Sequence, residues 1–491
     1  MGCSRVMTRE ERQPNLLLKQ ARGALSQARL AELVNEEILR ATGSMGAITA
    51  KAISDWERGW YTWPGKHARA ALCRVLGAPD AAALGFQNRR VAASEPAPVR
   101  VASPDTTALI DLAGLNGKGS LGQGEVGRLE VPGGRLFSGL DLEAFYWPAE
   151  PTGQDRLAVR SLDDEATIRP DRRSAVIAVT DAAGEEWYHV ADGRQLVRKP
   201  PGPDHTRDVP SAYVLDDLTV AILWMITNTD AALLADDYSL DHYRTKLSPY
   251  GELLSSSLTF GAVPDLHELS ARWLGSRFCA DHIVRNLGRL TSTPLFWSRE
   301  QRGEEASSWL IWTHKIEYLR ATTKMLKRHR RAFCIPEHEV KNSPRYERIV
   351  LLLAVALMEA FQITVDVTTD PDHGQVEGFV LGGEAIVANW LRAPGLWYVD
   401  ASAPPSRRMV YRDIAEAAST RSIIEQPTPA RRLEALAGYL NIPWRWFGKR
   451  CTELSAVGAG GIAQPRSRLL STVGLDLALS YIASLDRNQG A

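Results

Sequence analysis

Residues Ser26 to Gly59 read SQARLAELVNEEILRATGSMGAITAKAISDWERG, and this stretch sets the reading of everything around it. Leu30, Leu33 and Val34 recur at i, i+3 and i+4, the spacing of one helix face. Ser26 stands just before them, where its hydroxyl can accept a helix-start N–H. Asn35 to Ala47 reads as a connector. In a second helix, Ile48, Ala52, Ile53 and Trp56 form the apolar stripe, Thr49, Lys51, Ser54 and Asp55 point elsewhere, and Gly59 stops it. A small fold that buries one face of a helix and shows short polar side chains on the other is suited to lay that face against another molecule. The major groove of DNA admits an α-helix.

Working outward, Asn15 to Ala24 predicts a preceding helix. Lys66 to Leu76 predicts a following one through Ala70, Leu72, Val75 and Leu76, closed by Leu84-Gly85-Phe86. Ser26-Gln27, Leu30-Ala31, Ile53 and Trp56-Glu57-Arg58-Gly59 together resemble the phage-repressor-like (Xre-type) helix-turn-helix family, over about residues 14–87. The chain differs from that family in two places. Its connector is longer than the tight turn of the phage members. Position 20 is Gln where many members carry an Arg that pairs with the Glu equivalent to Glu57. The resemblance implies that Ala50, Lys51 and Asp55 meet base edges. It places Gln27, Thr49, Ser54 and Arg58 nearer the phosphates, where contacts set register without reading sequence. It also implies double-stranded DNA as partner and a homodimer on two half-sites.

At 491 residues the chain is too long for a single core. The expected architecture is multidomain, an all-α helix-turn-helix head followed by an α+β or α/β body. Net charge is zero, with 58 Lys/Arg against 58 Asp/Glu, but residues 1–90 hold 14 of the former and 8 of the latter. A basic head on an acidic body suits a module that touches DNA at one end only. No run approaches the roughly 18 apolar residues of a membrane span and no secretory core opens the chain, so a cytoplasmic protein without membrane association is expected. The five cysteines, at 3, 73, 279, 334 and 451, are scattered and never paired as C-x-x-C, which fits reduced thiols rather than disulfides or zinc.

Beyond the head, residues 88–127 read as a linker. Its GLNGKGSLGQG run fails the Walker spacing, since Gly119 rather than Ser or Thr follows Lys118. Residues 128–210 read as β-rich, 211–308 as a helical segment, 309–400 as an α/β subdomain with a possible sensing role, and 401–491 as mainly helical. The segments Ala212–Asp237, Trp273–Val284 and Phe296–Leu310 resemble stretches that follow Xre-type heads in large actinomycete regulators.

Within the body, Ser298 to Glu305 packs charges between Trp297 and Trp309. Arg forks read carboxylates or phosphates and Trp faces stack on rings or cations, so Trp297, Arg299, Arg302 and Trp309 are candidate ligand residues. The alternative is a solvated helix start with internal ion pairs. Cys279 near Asp281-His282 could be read as catalytic, but a buried Cys with a structural His is the better reading, as is a packed His314. Asp216-Asp217 is explained by helix capping and Asp236-Asp237 by exposure. No cofactor, metal or catalytic residue is therefore expected, and the chain is not read as an enzyme. The function these readings favour is a sequence-specific transcriptional regulator with a dimerising body and a small-molecule effector as a candidate partner. The alternative is a DNA-tethered protein-interaction adaptor without such a ligand.

Overall fold

The computed structural model of the chain describes residues 14–23, 25–42, 46, 48–58, 64–78, 81, 83–86, 99–100, 109–111, 126–152, 155–160, 174–180, 186–198, 206–259, 266–298, 300–392 and 396–489. The chain divides into two compact units, 1–95 and 96–491.

Among its described residues the first unit has four helices, α1 (Leu16–Arg22), α2 (Gln27–Thr42), α3 (Ala50–Glu57) and α4 (Lys66–Leu76). The starts of α1, α2 and α3 are each capped by a side chain that precedes them, and α4 starts after Gly65 without one. Asn15 Oδ1 accepts from Leu18 N at 3.0 Å, Ser26 Oγ from Arg29 N at 3.0 Å, and Thr49 Oγ1 from Ala52 N at 3.2 Å. Gly77 ends α4 with φ 66°, the left-handed conformation a glycine adopts without steric cost. Leu18, Leu30, Val34, Ile53, Leu72 and Phe86 are buried together, and Trp56 meets Phe86 edge-on at 6.1 Å. Burying each large side chain contributes about 1.5–3 kcal/mol, which a unit this small needs.

The connector differs from its sequence reading. α2 does not stop at Val34 but continues to Thr42, burying Ile38. Asn35, read as the start of the connector, instead sits mid-helix and fastens the chain leading into α3. Its Nδ2 donates to Ile48 O at 2.8 Å and its Oδ1 accepts from Ile48 N at 2.9 Å. Gly46 lies so close that a Cβ there would stand 2.4 Å from Asn35 Oδ1. Seven residues, 43–49, thus separate the two helices, and Asn35 holds this stretch at Ile48.

The second unit is an α+β body with two sheets. The first sheet has eight strands, β1 (Val99–Arg100), β2 (Leu109–Asp111), β3 (Val126–Val131), β4 (Leu140–Pro151), β5 (Arg156–Arg160), β6 (Ser174–Thr180), β7 (Glu186–Asp192) and β8 (Thr206–Pro210), with a short α5 (Gly193–Arg198) before the last. The order runs β1-β2-β3-β4-β5-β8, and β6 joins β4 in parallel and β7 antiparallel. Strands β1 and β2 thus fall inside the stretch read as linker, whose remaining residues up to 125, the glycine-rich run included, lie outside the described residues.

Two helices follow, α6 (Asp217–Ala235) and α7 (Asp237–Leu247), then β9 (Ser255–Thr259), α8 (Glu268–Asn286), β10 (Leu295–Trp297), α9 (Gly303–Ile311), α10 (Thr313–Met325), β11 (Arg330–Cys334), α11 (Glu337–Asn342), α12 (Arg345–Ala360), β12 (Thr364–Thr368), β13 (Phe379–Gly382), β14 (Glu384–Arg392) and β15 (Leu396–Asp400). The C-terminal helices are α13 (Pro405–Thr420), α14 (Pro429–Tyr439), α15 (Trp444–Val457) and α16 (Val473–Gln489). The second sheet is seven-stranded, ordered β12-β11-β10-β13-β14-β15-β9, parallel through β10, β11 and β12 and antiparallel beyond. Two of its strands, β9 and β10, come from the stretch read as helical, so the α/β layer starts well before residue 309.

Period-two alternation buries this sheet on both faces. Phe296, Phe333, Val365 and Val380 join the main core with α12, while Leu295, Trp297, Ala332 and Phe379 face Tyr411 and Ile414 of α13. α12 is apolar all round because it is enclosed by α6, α9, α14 and α16. α6 is long and apolar enough to cross a bilayer, with mean hydropathy 1.5, but 83% of that apolar stretch is buried inside the body. Asp216 caps α6 through Leu218 N and Thr219 N and pairs with Arg450 at 2.5 Å.

Candidate functional site

In the first unit, α3 divides into two faces. Ile53, Trp56 and Glu57 are buried, and Thr49, Lys51 and Arg58 are exposed, with Ala50, Ser54 and Asp55 half-buried between them. Lys51, Asp55 and Arg58 follow one another at i, i+4 and i+7, so they form one stripe along the helix.

The buried face is locked by a charge cluster. Arg22 Nε donates to Glu57 Oε1 at 2.5 Å, and Gln27 Nε2 donates to Glu57 Oε2 at 2.6 Å. Burial opposes the Glu57 charge. The hydrogen bonds from Arg22 and Gln27, with the charges of Arg22 and Lys19, outweigh it and hold the carboxyl below its ordinary pKa. The Arg partner missing at position 20 is thus supplied by Arg22, two residues further along α1. Gln27, read as a phosphate-side contact, donates from its amide to Glu57 and so also helps to position α3.

In the second unit, α8, β10, α9, α10, β11, β13 and β14 converge on a cavity of ≈ 70 Å³. Trp297 and Trp309 both line it, so two of the four candidate ligand residues meet there. Arg302 does not. Its Nε and Nη2 grip Glu347 at 2.9 and 3.0 Å, with Glu339 at 3.6 Å, in a buried bidentate pair. Arg299 lies outside the described residues. The neighbouring acids are committed as well. Glu304 accepts from the backbone N–H of Arg135, Leu136 and Phe137 at about 3.1 Å, and Glu305 accepts from those of Gln301 and Arg302. Most of the charge-dense loop is therefore an internal clamp.

Three charged groups at the cavity escaped the sequence reading as ligand residues. Lys315 is buried with Nζ 3.8 Å from the Trp309 ring centroid. Arg331 is buried with Cζ 4.4 Å from the same ring and 5.0 Å from Phe296. Glu300 accepts from Trp309 Nε1 at 2.7 Å. Arg331 Nη1 donates to Ser298 Oγ at 3.0 Å, while its Nε and Nη2, Glu300 Oε2 and Trp297 Nε1 have no hydrogen-bond partner among the described residues. Burial, with Arg331 adding repulsion and Glu300 opposing both, brings the Lys315 pKa down to about 8. The available signal was Arg331 itself, a cation inside the apolar strand RRAFC, where neighbours on both faces are core residues.

Cys279 also lines the cavity, and burial pushes its thiol up to about 12, which disfavours the nucleophilic thiolate. His282 is buried and driven down to about 4 by burial and by Arg285. His314 Nε2 pairs with Ser276 Oγ at 3.1 Å. No family model, curated protein or solved structure matches this chain.

Proposed function

We propose that the chain is a sequence-specific DNA-binding transcriptional regulator of the Xre-type helix-turn-helix kind, cytoplasmic and dimeric, with a body that senses a small molecule. The observation that carries this reading is the outer stripe of α3. Lys51, Asp55 and Arg58 stand away from the core while Ile53, Trp56 and the Arg22–Glu57–Gln27 cluster hold the helix rigid behind them. A rigid helix with mixed donors and acceptors matches what base edges require. Lys51 donates to guanine O6 or N7, and Asp55 accepts from cytosine N4. Thr49, Ser54 and Arg58 serve the phosphates on either side, and Ala50 leaves room for close approach.

A head of this size binds selectively when two copies read two half-sites, so the body dimerises in this reading. An effector acts by linkage, shifting operator affinity only as far as it binds one state of the dimer more tightly than the other. The test is sequencing of genomic fragments retained by the purified full-length protein. The expected result is a two-fold-symmetric motif with half-sites about one helical turn apart. Recovery of fragments with no shared motif overturns the reading.

A further inference from the structure

We propose that the body cavity binds a small organic carboxylate with a compact apolar tail, held by the side-on fork of Arg331 and the ammonium of Lys315. The inference deepens the sensing half of the proposed function and is independent of whether α3 reads DNA.

Three observations converge on it. First, charge. Two buried cations, Lys315 and Arg331, face one buried carboxylate, Glu300, and the remaining titratable groups at the cavity, Cys279 and Tyr318, are held neutral by burial. Among the described residues one positive charge is left uncompensated, so the complementary ligand is a monoanion. Charges are rarely buried without such a partner.

Second, geometry. The Nε and Nη2 hydrogens of a guanidinium point the same way and match the two oxygens of a carboxylate. Among the described residues Arg331 keeps Nε and Nη2 of this edge without a hydrogen bond of ordinary geometry, with the Tyr318 hydroxyl close by, and spends Nη1 on Ser298. Its plane is held against the Trp309 and Phe296 rings, which fixes where the fork points. Leaving two buried donors unmatched is costly, and a carboxylate would satisfy both.

Third, shape and polarity. The cavity is small, ≈ 70 Å³, and its uncharged walls are largely apolar, the rings of Phe296, Trp309 and Tyr318 with Ile283, Val380 and Ala388. Such walls favour a short or flat apolar tail and disfavour a polyol or a highly charged phosphate ester.

The test is isothermal titration calorimetry of the full-length protein at pH 7 with acetate and benzoate, with acetamide and benzamide as neutral counterparts, and with inorganic phosphate. At least one carboxylate is expected to bind tenfold or more tightly than its amide, and more tightly than phosphate. Lys315→Met, which removes the charge with little change of volume, and Arg331→Lys, which keeps the charge but loses the fork, are each expected to weaken that binding at least tenfold. Affinity should fall as pH rises past about 8 in the wild type and stay level in Lys315→Met. Equal binding of carboxylates and amides overturns the proposal on the wild-type protein alone, even if neither variant folds. So does tighter binding of phosphate, or unchanged carboxylate binding in both variants with native circular dichroism. The genomic-fragment selection can fail while this titration succeeds, and the reverse, so the two readings fall separately.

Discussion

Lys51 and Lys315 each sit on a short helix, and the protein treats them in opposite ways. Lys51 lies in solvent on α3, one residue of a stripe written by local i, i+4 spacing. Lys315 is sealed between the Trp309 ring, Glu300 and Arg331, in a cavity whose walls come from residues 276 to 389. A charge left in water costs the fold almost nothing and is free to meet a partner. A charge taken out of water is held there at the expense of stability. The first kind of site is cheap and exposed; the second is expensive, and its expense is what makes it informative.

The comparison can be broken most forcefully in the body. Arg302→Ala strands Glu347 in the interior and should cost about 3–5 kcal/mol of body stability in chemical denaturation. A loss below about 1 kcal/mol would show that the loop between Trp297 and Trp309 is not a clamp. Next comes pH. The Lys315 pKa is near 8 in the folded body against 10.5 unfolded. Between those values the unfolded chain binds more protons, so stability should climb as pH rises from about 8 to 10.5, by up to about 3 kcal/mol. Comparing pH profiles of the wild type and Lys315→Met isolates this contribution from Glu300, Arg331 and Cys279, which face the ammonium from three other elements. A rise of the same size in the variant would mean that Lys315 is not its source.

In the head the expected effects are smaller and divide differently. Glu57→Ala leaves Arg22 and Gln27 without their acceptor and should destabilise the first unit by about 2–3 kcal/mol. Thermal melts of the variant read this directly. Lys51→Ala should leave the melting temperature alone and weaken binding to the selected operator by about 1–3 kcal/mol, with little loss on random DNA. Equal losses on both would make Lys51 a backbone contact. Ser26→Ala, which removes only the α2 cap, should cost about 1 kcal/mol of helix stability and serves to scale the others.

The same contrast explains what the sequence disclosed. The helices of the first unit were legible because Leu30, Val34, Ile53 and Trp56 announce their partners within one or two turns. The end of α2 was not, because Asn35, Glu36 and Glu37 break the apolar rhythm just before Ile38 restores it. In the body, α12 and the strands from Thr364 to Asp400 showed plainly as apolar runs. Strand β9, with the sequence SSSLT, carries almost no hydrophobic signal, and β10 is only three residues long. Both gain their identity from neighbours far along the chain. The cavity was illegible for the same reason. Lys315 stands in a stretch dense in Lys and Arg, and nothing local to it reveals that Arg331 and Glu300 converge on one indole ring.

Strand β9 has a further consequence during synthesis. Its ladder is completed by β15, Ser255 opposite Asp400 and Thr259 opposite Leu396. A ribosome adding about 5–20 residues per second takes roughly seven to thirty seconds to travel between them. Throughout that wait the segment can emerge into the cell with its backbone donors and acceptors unclaimed, an invitation to cross-pair with a neighbouring nascent chain. Three serines in a row make it a poor aggregation seed, and that same blandness is why it drew no notice when read from the sequence.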